Sequence, residues 1–205
     1  MDENKVIIKE VEDNGKKYTI QYFKGKKLDR NIQTKKIILL GLSGVGKTTI
    51  SYRLITEEFK QCNPTISLDL ANCKIKVNDK IIQIQIWDSC GNDDFAANTP
   101  NLFKNTFIGI FVYEIVKKDS FNDIEKWKNL LKQHSNAKFV YLIGNKADLE
   151  ANRQVATHEG EKYKDESNFN FFMETSAKSG LNIDKLLNKI AIDVYESTKK
   201  EEEIK

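Results

Sequence analysis

Between Lys35 and Thr198, short apolar runs alternate with stretches whose apolar residues recur every three or four positions. The runs predict strands over Lys35–Leu40, Leu68–Val77, Ile81–Trp87, Phe107–Ile115, Phe139–Gly144 and Phe169–Glu174. The helical spacing predicts helices over Thr48–Glu57, Ser120–His134, Thr157–Glu166 and Ile183–Thr198, with a short one near Asp94–Leu102. Several runs, "FIGIFVY" (Phe107–Tyr113) above all, are continuously apolar, as strands covered on both faces are. An Asn78-Asp79 turn joins two of the strands as an antiparallel hairpin at one edge. The alternation predicts an α/β fold: a mostly parallel six-stranded sheet with helices on both faces.

The first 34 residues follow another pattern. Asn14-Gly15 separates two strand-like runs, and a two-residue hairpin turn needs positive φ at both central positions. Pairing outward from that turn sets Asp13 against Lys16, Glu12 against Lys17 and Val11 against Tyr18. Lys9 then faces Ile20, and Ile7 faces Tyr22. Val11, Tyr18, Ile20, Ile7 and Tyr22 share one face, and Glu12 and Lys17 the other. A lone hairpin is barely stable, so this one should pack on the main domain or extend its sheet. Residues 24–34, "KGKKLDRNIQT", read as a linker. The chain thus divides into an N-terminal extension (1–34), a main domain (35–198) and a charged tail (199–205) that is expected to fray.

A length of 205 residues fits one domain with an appendage and is enough to bury a core. No apolar run approaches the ~18 residues that span a bilayer, and the start "MDENK" has no signal-peptide character. The net charge of +3 comes from 33 basic and 30 acidic residues interleaved, which implies no nucleic-acid partner. Three cysteines (Cys62, Cys73, Cys90) without a CxxC pair argue against a disulfide framework or zinc site, and for a reducing compartment.

The chemistry begins directly after the strand "KIILL". Gly41 to Thr48 matches GxxxxGK[ST]. A loop that wraps phosphates must bring its backbone N–H groups close to oxygens, and side chains at Gly41, Gly44 and Gly46 would obstruct that approach or forbid the dihedrals. The helix N-terminus that follows favours anions. Lys47 would place a charge between the terminal phosphates, and Thr48 a hydroxyl on Mg²⁺. "GNKADL" (Gly144–Leu149) follows another strand, at the edge where open α/β sheets bind ligands. The Asp148 carboxylate can accept from the N1–H and 2-amino group of guanine, a donor pair that adenine lacks. Asn145 would brace the loop, and the Lys146 stem would cover the base. In "TSAKSG" (Thr175–Gly180) the Ala177 N–H is placed to donate to guanine O6. "IWDSCG" sets Asp88 at a strand end, where it could hold Mg²⁺ through water, with the Gly91 N–H to sense a γ-phosphate. "NPTI" offers the Thr65 hydroxyl to the same metal.

Taken together these residues resemble the Ras-type small GTPases over about Lys35 to Ser197. The motifs stand in the family's order: Gly41–Thr48, Thr65, Asp88–Gly91, Asn145–Asp148 and Ser176–Lys178. "TISLDL", "IQIWDSCG" and "DSFNDIEKW" are similar to the Rab branch, and Ser43 sits where many Rab-type loops carry serine. The resemblance implies a GTP/GDP-dependent switch for membrane traffic. Its nucleotide site would comprise Ser43, Gly44, Val45, Gly46, Lys47, Thr48, Thr49, Thr65, Gly91, Asn145, Lys146, Asp148, Leu149, Ser176, Ala177 and Lys178. Phe59 is either an aromatic stacked at the guanine edge or a core residue. Magnesium would be held by Thr48, Thr65 and Asp88, and catalysis carried by Lys47, Thr65, Gly91 and residue 92.

The departures bear on function. Where the family has glutamine to orient the attacking water, this chain has Asn92, shorter by one methylene. Cys90 replaces alanine, Ser67 replaces glycine, Glu114 stands where aspartate is common, and "LFKNT" departs from the Rab-type sequence. The three arginines, Arg30, Arg53 and Arg153, offer no obvious arginine finger in cis. The implied partners are effector, activating and exchange proteins acting through residues near 60–70 and 88–106. A monomer in the cytoplasm is expected, with peripheral membrane association through partners left open. No cysteine follows Cys90 to carry lipid; a trimmed sequence and a lipid-free protein both fit. Two readings stand: a slow GTP-hydrolysing switch, and a GTP-binding interaction module with negligible catalysis.

Overall fold

A computed structural model describes residues 6–23, 29, 31–62, 68–91 and 100–204, of which Val6 and Ile7 in backbone only. Thr65, Ser67, Asn92 and residues 94–99 of the expected short helix lie outside the described residues. The chain forms two compact units.

The first comprises residues 1–35, 72–85 and 184–205. Its strands are β1 (Val6–Asp13), β2 (Lys16–Phe23), most of β4 (Asp69–Val77) and most of β5 (Lys80–Asp88), in the order β1-β2-β4-β5. The hairpin register is the expected one, from Asp13↔Lys16 to Ile7↔Tyr22. Asn14 (φ 50°) and Gly15 (φ 74°) take the left-handed conformations that such a turn demands. β2 then pairs antiparallel with β4, from Ile20↔Val77 to Phe23↔Lys74. The hairpin therefore extends the sheet.

Helix α5 (Ile183–Glu203) supplies the other layer of this unit from residue 184 onward. Tyr18, Ile20, Tyr22, Ile75, Val77, Ile82 and Ile84 of the strands are buried, with Ala191, Val194 and Tyr195 of the helix. Polar tips anchor the layers. Tyr18 donates to Glu196 (2.7 Å), Tyr22 donates to Asn188, and Lys9 pairs with Asp184 (2.6 Å). The helix continues past Thr198, where Lys35 meets Glu201 (3.0 Å) and Lys80 meets Glu202. The buried Gln83 amide donates to the Asp29 and Ile32 carbonyls (2.7 and 2.9 Å), fixing those linker residues.

The second unit comprises residues 36–71 and 86–183. Strands β3 (Thr34–Leu40), β6 (Thr106–Glu114), β7 (Phe139–Asn145) and β8 (Phe171–Glu174) lie in the order β3-β6-β7-β8, all parallel. Its helices are α1 (Lys47–Thr56), α2 (Lys118–Asn122), α3 (Ile124–His134) and α4 (Thr157–Glu166), with 3₁₀ turns at Pro100–Leu102 and Ala147–Asn152. The core gathers Phe103, Phe111, Tyr113, Ile124, Trp127, Leu131, Leu142 and Phe169. The expected helix over Ser120–His134 is divided at Asp123, whose ψ of −10° lies off the α-helical value. β8 begins at Phe171 rather than Phe169, whose ring is buried in the core. The α/β architecture, the mostly parallel strands and the N-terminal antiparallel hairpin match the fold expected from the sequence.

Candidate functional site

β3 ends at Leu40 and the chain turns at once through Gly41–Gly46 into α1. Two glycines are sterically required. Gly41 (φ 137°) passes so close to β6 that a Cβ would strike the Val112 carbonyl, and a Cβ at Gly46 (φ 97°) would strike the Asn145 amide. Gly44 differs: a Cβ there would meet open space, so only its φ of 84° restricts it. All three glycines take left-handed φ values that side chains disfavour, and at Gly41 and Gly46 a neighbouring group also fills the space a Cβ would need.

Lys47, at the first turn of α1, is buried, and its ammonium donates to the Gly41 and Leu42 carbonyls (2.8 and 2.9 Å). Burial lowers its pKa to about 8, against the opposing pull of Asp88 and Cys90. Beside it, Thr48 Oγ1 donates to Asp88 Oδ2 at 2.5 Å. The Gly91 backbone crosses this corner so closely that a Cβ would lie 2.5 Å from the Lys47 ammonium and 2.6 Å from the Ser43 nitrogen. A hydroxyl and a carboxylate, both hard oxygen donors, suit Mg²⁺, which keeps several waters and uses few protein ligands. Among the described residues no group of three or more His, Cys, Asp or Glu is placed to hold a metal ion.

Asn145, at the end of β7, ties three loops together. Its Nδ2 donates to the Val45 carbonyl (2.9 Å), while its Oδ1 accepts from Thr175 Oγ1 (3.3 Å) and the Ala177 N–H (3.2 Å). The N–H expected to read a base oxygen is therefore engaged by Asn145. Lys146, at φ 64°, pairs with the buried Glu114 carboxylate. Ser176 Oγ donates to Asp148 Oδ1 (2.6 Å) and accepts the Ser179 N–H (3.0 Å), orienting the Asp148 carboxylate.

These loops enclose a cavity of about 460 Å³. Its walls include Ser43, Gly44, Gly46, Lys47, Thr48, Thr49, Phe59, Asn145, Lys146, Asp148, Leu149, Ala177 and Lys178. Phe59 is 45% exposed on that wall, which excludes a core position. Val45 and Ser176 are buried and do not line it, and neither does Gly91. Thr48 also lines an adjoining cavity of about 370 Å³, and of the two cavities Asp88 lines only this one. Sequence reasoning missed Gln61, Cys62, Ser89 and Cys90 as wall residues. Gln61 and Cys62 belong to no motif, whereas Ser89 and Cys90 stand inside the Asp88–Gly91 motif, where only the aspartate and the glycine drew a role.

The arrangement is that of a P-loop protein of the α/β class. A family model described as the Ras family matches residues 36–196. The chain is 35% identical over 162 residues to "Ras-related protein Rab11B" of Nicotiana tabacum, covering 78% of this chain and 74% of that one. It is 36% identical over 156 residues to "Ras-related protein Rab-2B" of Dictyostelium discoideum, covering 75% and 77% respectively. "Ras-related protein RABA1f" of Arabidopsis thaliana is 33% identical over 162 residues. The chain belongs to the Ras family and is of the Rab type. Members of that family are GTPases that bind GTP or GDP with Mg²⁺ and work as switches with effector, activating and exchange proteins. Among the described residues no helix is long and apolar enough to cross a membrane.

Proposed function

We propose that this chain is a Rab-type guanine-nucleotide switch in membrane traffic that hydrolyses GTP slowly. The observation that carries it is the convergence of Lys47, Thr48, Asn145, Asp148 and Ala177 on one cavity. Phosphates would lie on the N–H groups of residues 43–49, with the Lys47 ammonium leaving its loop carbonyls for them. Bound Mg²⁺, held by Thr48, by Asp88 through water and by Thr65, would neutralise charge on the phosphate oxygens. The Asp148 carboxylate, oriented by Ser176, would accept the two guanine donors. The Ala177 N–H would exchange Asn145 for the base oxygen, Phe59 would stack at the base edge, and the Lys146 stem would cover the base plane. Thr65 and the Gly91 N–H would sense the γ-phosphate. Effector, activating and exchange proteins would act through residues near 60–70 and 88–106.

Asn92 carries the kinetic half of the proposal. Being one methylene shorter, its amide would fall roughly 1–1.5 Å short of the point a glutamine reaches, and a misplacement of that size would cost about 10²-fold. Nucleotide extracted from purified protein should be GDP or GTP, and Asn92→Gln should raise the single-turnover rate of GTP hydrolysis. Equal rates in the two proteins would refute slow turnover at this position. The same residue favours a second reading, a GTP-binding interaction module with negligible catalysis. Trapped GTP with no phosphate release over hours would select it.

A further inference from the structure

The base-side loop carries a contact that no motif contains. Arg53 sits in the last turn of α1, the helix whose first turn holds Lys47 and Thr48. Its Nη1 donates to two successive carbonyls, Ala177 O and Lys178 O, each at 2.8 Å. The guanidinium lies against Gly180, where a Cβ would fall 2.5 Å from Nη2 and where φ is 92°. The loop Ser176–Gly180 is closed on itself by Gly180 N–H to Ser176 O (2.8 Å) and Ser176 N–H to Leu181 O (3.1 Å). Arg53 thus grips the outer side of a closed turn whose inner side presents Ala177 to the cavity.

From these contacts we infer that Arg53 is a positioning residue for base recognition. It ties the base-reading loop to the same rigid helix that begins at the phosphate end. Six helical rises separate Lys47 from Arg53, about 9 Å along the axis. That span fixes the distance between the phosphate-binding turn and the Ala177 and Lys178 backbone. Arginine suits the task because its planar head holds two acceptors in fixed directions, whereas a lysine ammonium is a point donor on a flexible stem. Nothing in the contact touches a phosphate, so its effect should be confined to ligands that carry a base. This inference rests on the guanine-nucleotide reading above.

The test compares wild type, Arg53→Met and Arg53→Lys with three probes: GDP, ADP and inorganic pyrophosphate, each with Mg²⁺. Arg53→Met should release GDP about 10- to 100-fold faster and narrow the GDP-over-ADP preference by a similar factor. Pyrophosphate affinity should stay within about twofold, and Arg53→Lys should recover part of the loss. GDP release unchanged in Arg53→Met would overturn the inference. Equal weakening of GDP and pyrophosphate would also overturn it, because that marks a general loss of structure. A wild type that binds pyrophosphate yet does not prefer GDP to ADP would instead overturn the guanine reading itself.

Discussion

The two units solve opposite problems with similar materials. In the first, buried polar groups of strands and helix satisfy one another: Tyr18 with Glu196, Tyr22 with Asn188, Gln83 with the linker carbonyls. In the second, Lys47 is held by its own loop and Asp148 by the neighbouring Ser176, yet both stand on a cavity wall. The difference follows from topology. A hairpin lets side chains meet a helix along its whole length, whereas parallel strands deliver their C-terminal loops to one edge. The first arrangement serves stability and the second serves ligands.

The comparison is sharpened most by Asp148→Asn. Losing two charge-assisted hydrogen bonds at about 1.5–3 kcal/mol each should cut GTP affinity about 10²- to 10⁴-fold and shift preference to xanthosine triphosphate. Competition binding would show it, with the melting temperature of nucleotide-free protein little changed. Ile20→Ala addresses the other unit. Ile20 is fully buried opposite Val77, and its truncation should cost about 2–5 kcal/mol in urea unfolding while GTP selectivity stays as it was. If selectivity fell with it, the division of labour between the units would break.

Tyr18→Phe is milder, about 1 kcal/mol, and carries a pH signature. The Tyr18 hydroxyl, and secondarily Lys16, hold the Glu196 carboxyl below its usual range. Stability from that carboxylate is complete above the unfolded value near 4.3 and is lost as pH falls through the lower folded value. Burial, then Glu196, raises the Tyr18 phenol, so its share is complete below the ordinary phenol value and fades as pH rises above it. Tyr18→Phe should flatten both limbs of the stability profile, and unchanged limbs would remove this pair from the unit's account.

The sequence made the hairpin register legible because one turn dipeptide and a period of two specify it completely. It made the phosphate loop legible because close backbone approach admits few residues at Gly41 and Gly46. Other features were hidden in tertiary detail. Ser120 Oγ donates to the Lys117 carbonyl and accepts the Glu114 N–H, a local competition at the start of a helical stretch that apolar spacing does not register. The last turns of α5 are charged and looked frayed, yet Glu201 and Glu202 find lysines more than a hundred residues away in sequence. Arg53 was legible only as one of three arginines, because its partners are backbone carbonyls, which have no letter in a sequence.

The pairing of β2 with residues 74–77 of β4 has a consequence for company. Main-chain groups on that flank are spent inside the molecule, so a visiting protein cannot lengthen the sheet there without first peeling the hairpin away. The outermost ribbon becomes β1, where Lys9, Glu10, Glu12 and Asp13 discourage indiscriminate stacking. This chain therefore greets its surroundings along a charged selvage of its own making.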